Sequence, residues 1–324
     1  MEMSTNRSDG CPIFYDDKAE SNGLYNGFFI VVAIISLMLD CFLLAVVGRR
    51  ISTQPDLYII SGFVISNVVT SLGLLCASAY RIWWRTAEPL CVHPAQCITD
   101  RFYVPMHMVG SDAVAITMVL LSLERFFLFW RQKWHSVVFS PFCTTVMVLA
   151  TFLFSCLEVF AVYLDAAARS DKLISSMCYR KEYTSQIYNY VYTCTKVTLA
   201  VACLIFYVLA YVIHKVSVQK SGCPTSLGTI RNSRRSSMLF NLLIIALVIA
   251  LFHIAPLVLK PLSHASPIIG KTVKIVHNLY LPLSTALCFA IHPFLLSSAQ
   301  RLCSKFSCSI LERFHRHTSV VYIG

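Results

Sequence analysis

Four charged side chains, Asp40, Asp112, Glu158 and Lys196, and two histidines, His253 and His292, stand inside stretches that are otherwise almost wholly apolar. A charge held within hydrocarbon is costly, so such groups face a partner, a cavity or a ligand. These residue types allow three arrangements: an ion pair that locks helices together, a polar floor under a ligand pocket, or an ion path. Lys196 is the single cation of the set, and Asp112 and Glu158 are the acids that neighbouring segments offer it. It can pair with either, but not with both at full strength. Covalent chemistry has no support. His-Glu-x-x-His, Gly-x-Ser-x-Gly and a phosphate-cradling nucleotide loop are all missing from the chain, which reads as no enzyme. His93 between Cys91 and Cys97 has the ingredients of a zinc site. With Cys178 and a loop setting, disulfide chemistry is the better reading, and neither a metal nor another cofactor is expected.

The elements that position these groups follow from composition. Of 324 residues, 56% are hydrophobic and 13% charged, whereas a soluble domain is about a quarter charged. Mean hydropathy is +0.65, more apolar side chain than one soluble core can hide. Seven stretches reach the ~20 residues that a helix needs to cross ~30 Å of hydrocarbon. They are Tyr25–Val47, Leu57–Tyr80, Phe102–Trp130, Pro141–Leu164, Ile187–Ile213, Met238–Leu259 and Val273–Leu296. Barrel strands are excluded, because the runs are continuous rather than alternating and too long. The expected fold class is an all-α, seven-helix transmembrane bundle. It divides into an N-terminal segment 1–24, a bundle 25–297 and an amphipathic helix with tail 298–324. The first run follows an acid-rich segment and reads as a membrane helix, not a signal peptide.

Orientation rests on three signals. With the N-terminus outside, 14 Lys and Arg lie inside and 12 outside, a slim margin by the positive-inside rule. Asn6-Arg7-Ser8 is a glycosylation sequon that serves only on the lumenal side. Cys11, Cys91, Cys97 and Cys178 would then share the oxidising compartment, where an even set can pair. The N-terminus is therefore expected outside, the C-terminus inside, and the protein in the plasma membrane. The basic balance, +11 with a pI near 9.0, is spread over short loops and reflects topology, not nucleic-acid binding.

Leu121-Ser122-Leu123-Glu124-Arg125-Phe126 closes the third span. It resembles the acid–Arg–aromatic motif at the inner end of the third helix of rhodopsin-like G-protein-coupled receptors. Pro256 in the sixth span is similar to the family's helix-bending Pro, and His292-Pro293 in the seventh to its Asn-Pro motif. Asp40 and Ser66-Asn67 fall at the family's polar positions in the first two spans. The departures are as plain. Leu296 stands where the motif has Tyr, Ile254 where the sixth helix has Trp, and the fourth span has no Trp. In this the chain resembles the divergent chemosensory serpentine receptors of nematodes. The resemblance implies an external small-molecule or peptide ligand, a heterotrimeric G protein as inner partner, and a Cys97–Cys178 disulfide. It assigns coupling and switching to Glu124, Arg125, Phe126, Pro256, His292 and Pro293. Without a receptor, Arg125 would simply be a snorkelling residue at a helix end.

Depth follows from a helical rise of ~1.5 Å per residue. Asp112 lies roughly 15 Å below the outer end of its span and Lys196 roughly 14 Å below its own, while Glu158 and His253 lie roughly 9 Å deep. Asp112 is thus the partner of matching depth for Lys196. Above this level His107, Met108, His253, His277 and Tyr280 can line a pocket, with Asp112, Glu158 and Lys196 as its floor. Plain helix packing and a structural ion pair are the competing roles. Asp40, Asn67 and His292 form a second polar set nearer the inner side, read as a hydrogen-bonded knot. Beyond the seventh span, Gln300–Phe314 has one apolar and one basic face, as in a helix lying on the inner leaflet of the bilayer. Its Cys303 and Cys308 are candidates for palmitoylation.

The competing function is a seven-span transporter or channel that uses the buried charges as an ion path. A conduit needs polar lining through to the cytosol, yet Leu199–Leu209 and Leu239–Ile249 are almost wholly apolar. The matched pair of broken helices typical of transporters is also missing from the sequence.

Overall fold

A computed structural model describes residues 23–48, 55–84, 91–220, 244, 247–259 and 267–291. Five helices among them are long and apolar enough to cross a membrane, and the protein is an all-α membrane-embedded bundle. They are α1 (Gly23–Gly48), α2 (Pro55–Trp84), α4 (Tyr103–Trp130), α6 (Pro141–Ala167) and α8 (Gln186–Lys220). Between them lie the short helices α3 (Gln96–Thr99), α5 (Gln132–Val138) and α7 (Arg180–Tyr183). A π-helical segment Ile249–Ile254 runs into α9 (Ala255–Leu259), and α10 (Pro267–Ile291) follows. Strands β1 (Cys91–Val92) and β2 (Ile174–Ser175) pair antiparallel, Cys91 opposite Ser175 and Val92 opposite Ile174.

The packing order closes a ring. α1 lies between α2 and α10, α2 also touches α4 and α6, α4 touches α6 and α8, and the π-helical segment bridges α8 and α10. α4 is therefore the central helix. α6 shows how a membrane helix chooses its face. Leu149, Leu153, Leu157, Phe160 and Leu164, spaced about one helical turn apart, are exposed. Its inward side carries the small or hydroxyl-bearing Thr144, Thr151, Ser155, Val162 and Ala166. Lipid tails give apolar side chains no reason to turn inward, so close packing by small residues selects the buried face. The hydroxyls satisfy themselves on the preceding turn, as in Ser155 Oγ to Thr151 O at 2.9 Å.

Two glycines set the α2–α4 distance. A Cβ on Gly73 would stand 2.7 Å from the His107 backbone nitrogen, and one on Gly110 would stand 2.5 Å from that of Thr70. Each glycine lets the other helix's backbone in. At Pro256 the ring cannot donate to the carbonyl one turn back and would clash with it. The π-helical turn at Ile249–Ile254 lies immediately before it, the kind of ladder adjustment that accompanies a bend.

Several elements extend past the expected spans. α2 begins at Pro55 and ends at Trp84, and α6 continues to Ala167. The largest correction is α8, which is helical to Lys220 and so runs seven residues past the expected end of the span at Ile213. Loss of hydropathy marks the membrane's edge, but the backbone hydrogen bonds of a helix need no apolar side chains and carry on into water. The glycosylation sequon at Asn6, the amphipathic segment with Cys303 and Cys308, and His292-Pro293 lie outside the described residues.

Candidate functional site

At the end of the bundle where β1 and β2 pair, Cys97 on α3 and Cys178 are joined by a disulfide. Cys178 carries a left-handed φ of 53°, unusual for a non-glycine residue. Cys91 is disulfide-bonded as well. The bond ties the α6–α8 connection over the mouth of the bundle. Asp165 and Arg169 fasten the other side. Arg169 donates to Asp165 Oδ2 at 2.9 Å and to the Tyr183 carbonyl at 2.6 Å, and the Ser185 amide donates to the same Asp165 oxygen at 2.9 Å. Held at both ends, the connection folds down into the bundle. Tyr183, 4% exposed, reaches Met108 Sδ on α4 at 3.6 Å, and the Arg180 guanidinium lies 3.3 Å from the centre of the Tyr192 ring on α8. Burial works against the Arg180 charge, but Tyr192, Tyr183 and the Asp112 carboxylate more than offset it, leaving its pKa above the ordinary value. Burial pushes the Tyr183 hydroxyl up to about 12, with Arg180 pulling the other way.

Beneath this lid is the ion pair. Lys196 Nζ stands 2.5 Å from Asp112 Oδ1, with the two side chains 6% and 2% exposed. The same ammonium donates to the Ser111 carbonyl at 2.8 Å and lies 5.2 Å from the Tyr192 ring centre. Glu158 takes a different partner, accepting from the Tyr188 hydroxyl at 2.7 Å. Its carboxyl remains within electrostatic reach of Asp112 and Lys196, so α4, α6 and α8 share one polar cluster.

The expected pocket-lining residues are more scattered. His107 Nδ1 lies 3.4 Å from the Thr70 carbonyl across the α2–α4 contact. Met108 is buried, with its Sδ accepting from the Tyr183 hydroxyl at 3.6 Å. His277 is half-buried on α10, while Tyr280 lies lower, buried against two narrow apolar cavities. The first is lined by Val114, Met118, Leu199, Cys203, Ile249 and Tyr280, and the second extends toward Tyr207 and Cys288. Tyr280 thus stands below the Lys196–Asp112 level, not above it as expected, because both cavities lie on the inner side of Asp112. The side chain of His253 lies outside the described residues.

At the far end of α4, Glu124 is 2% exposed. Its two carboxylate oxygens are held separately: Oε2 lies 3.2 Å from Arg125 Nε and Oε1 lies 2.8 Å from His135 Nε2 on α5. A carboxylate only accepts, so that ring nitrogen carries the proton. Phe126 stacks on Trp130 at 5.4 Å and meets Phe206 of α8 at 5.8 Å.

Asp40 and Asn67 do come together, and the group joining them is Thr285 on α10. Thr285 Oγ1 donates to Asp40 Oδ1 at 2.6 Å and accepts from Asn67 Nδ2 at 3.1 Å, and Ser36 donates to Asp40 Oδ2 at 3.1 Å. Among the described residues, no group of three His, Cys, Asp or Glu is arranged to hold a metal ion.

Sequence reasoning missed His135, Thr285 and Arg180. His135 follows Glu124 by eleven positions across a helix break, a spacing no helical pattern flags. Thr285 is an ordinary hydroxyl in an apolar run. Arg180 belongs to a connection expected to remain outside the bundle. No protein-family model matches the chain, and no curated protein does.

Proposed function

We propose that the chain is a seven-helix, rhodopsin-like receptor of the chemosensory type, which takes an external ligand at the disulfide-bearing end and activates a heterotrimeric G protein at the other. The observation that carries this reading is the Glu124–Arg125 pair at the inner end of α4. Glu124 lies 21 residues from the start of that helix, about 31 Å along its axis, or one hydrocarbon thickness from the lid. An Arg held there by a buried carboxylate is a restrained cation. Opening of the bundle frees it to meet a partner helix. On this reading the expected sixth and seventh spans would complete the seven, with the N-terminus outside in the plasma membrane.

The ligand acts by binding the open state more tightly than the closed one, since differential affinity alone shifts the equilibrium. The Lys196–Asp112–Glu158 cluster and the lid above it form the ligand end, and the π-helical turn before Pro256 is the place where the sixth helix bends. The transporter reading is less well supported. The cavities on the inner side of Lys196 are apolar, and an ion path would have to cross them. A ligand screen in cells expressing the chain, read by Gα–Gβγ dissociation, tests the proposal. Active compounds should lose their effect in Arg125→Ala at matched surface expression. Ligand-evoked ion current without G-protein dissociation would favour the transporter.

A further inference from the structure

The four tryptophans of the chain divide between the two ends of the bundle. Trp83 and Trp84 close α2, and the Tyr80–Tyr103 ring contact at 5.4 Å sets that end beside the start of α4. Trp130 closes α4 at the other end of its 28 residues, about 40 Å along the axis. That is the thickness of a bilayer with its headgroup layers. Trp130 therefore stands at the second interface, where aromatic belts collect. At Arg131 the backbone is extended (φ −148°, ψ 99°) and the helix stops before α5 begins. His135 of α5 reaches back to Glu124 at 2.8 Å, and the Phe139 ring lies 6.0 Å from that of Phe127. These contacts hold α5 beside the last two turns of α4, within about 9 Å of its end, at the level of the interface.

The sides of α5 differ sharply. His135, Val138 and Phe139 face the bundle. Away from it Trp134 is 57% and Val137 68% exposed, beside an exposed Lys133. Trp130, 52% exposed, and the exposed Arg131 precede them, and Phe142, 77% exposed, continues the apolar surface into α6. The Arg131 guanidinium lies 5.8 Å from the Trp130 ring centre. From Phe126 to Leu157 the sequence contains no Asp or Glu, so this stretch carries only positive charge. Large aromatic side chains left bare in water are unfavourable. Bare aromatics flanked by basic residues at interfacial depth match a surface that is apolar beneath and anionic above.

We infer that α5 is a membrane-surface helix, with Trp130, Trp134 and Val137 seated at the boundary of headgroups and acyl chains and with Arg131 and Lys133 on anionic phospholipid headgroups. It rests on the receptor reading only for the name of the leaflet, the inner one. The lipid contact and the Glu124 contact are opposite sides of one seven-residue element. Anionic lipid that holds α5 against the bilayer therefore also holds His135 against Glu124.

The test uses the purified full-length chain in nanodiscs of phosphatidylcholine mixed with phosphatidylserine. Trp83→Phe, Trp84→Phe and Trp130→Phe together leave Trp134 as the single tryptophan. Lipid brominated high on its acyl chains should quench Trp134, and aqueous iodide should not. If the triple variant fails to fold, subtracting the signal of Trp134→Phe from that of the parent gives the same reading. Energy transfer from Trp134 to trace dansyl-labelled phosphatidylserine should exceed that to dansyl-labelled phosphatidylcholine. The preference for the anionic lipid should fall about fivefold in Lys133→Gln and in Arg131→Gln, the share of one basic side chain at an anionic surface. Lys133→Arg should keep it, and high salt should weaken it. Quenching by iodide with none by brominated lipid, equal transfer to both lipids, or glutamine variants that keep the full preference would each overturn the inference. Iodide quenching that is suppressed by added heterotrimeric G protein would give this face to a protein partner instead, and suppression only in nanodiscs holding two chains would give it to a second copy. A chain that dissociates no G protein yet shows the lipid preference would retire the receptor reading and leave the lipid contact standing.

Discussion

Replacing Lys196 with Met removes the cation and leaves the Asp112 carboxylate in its buried position, 2% exposed, with no countercharge at 2.5 Å. Breaking one side of a buried pair in this way costs about 3–5 kcal/mol, against a total folding stability of roughly 5–15 kcal/mol. At about 1.4 kcal/mol per factor of ten, the folded-to-unfolded ratio falls by about two to three and a half orders of magnitude. Lys196→Met should therefore reach the cell surface poorly. Adding Asp112→Asn removes the stranded charge and should restore most of the loss, because a neutral pair needs no compensation. Glu158→Gln should not rescue it, since Glu158 is held by Tyr188 at 2.7 Å. Asp112→Asn alone should be milder than Lys196→Met. The lysine keeps the Ser111 carbonyl at 2.8 Å, and Glu158 remains within its electrostatic reach. Surface staining by flow cytometry, with thermal unfolding of the purified variants, reads all four. Rescue by Glu158→Gln and none by Asp112→Asn would refute the pairing.

Cys97→Ser and Cys178→Ser should reduce surface expression equally, with the double variant no worse, because both remove one bond closing a separation of 81 residues; unequal losses would place the bond elsewhere. Gly110→Ala should impair folding more than Gly27→Ala. Its new Cβ would lie 2.5 Å from the Thr70 backbone, whereas Gly27 has nothing within 4 Å, and overpacking of this kind costs about 1–3 kcal/mol. An epitope placed at residue 2 should stain intact cells, and staining only after permeabilisation would reverse the orientation.

The long helices were legible because continuous apolar runs have no soluble alternative, and Asp112 could be matched to Lys196 because helical rise converts residue count into depth. Arg180 is marked by neither hydropathy nor depth. Its position depends on the Cys97–Cys178 bond and on the Arg169 and Asp165 contacts that fold a connection inward, and hydropathy is blind to these. The inner knot was half legible. Asp40 and Asn67 stand out as polar residues in apolar spans, but Thr285 joins them through a hydroxyl that any membrane helix can satisfy on its own backbone. The far end of α8 was misread because hydropathy falls at His214 while the helix continues to Lys220.

The central claim is that Arg125, restrained by Glu124, is the switch through which the bundle reaches a G protein. The direct measurement is ligand-free Gα–Gβγ dissociation in cells expressing Glu124→Gln beside the parent chain, with surface levels matched. Neutralising Glu124 removes the charge that holds Arg125 Nε at 3.2 Å and accepts from His135 at 2.8 Å. Basal dissociation should rise above the parent for at least one Gα class, and adding Arg125→Ala should return it to the level of untransfected cells. Parent-level dissociation in Glu124→Gln for every Gα class, or a rise that survives Arg125→Ala, would contradict it.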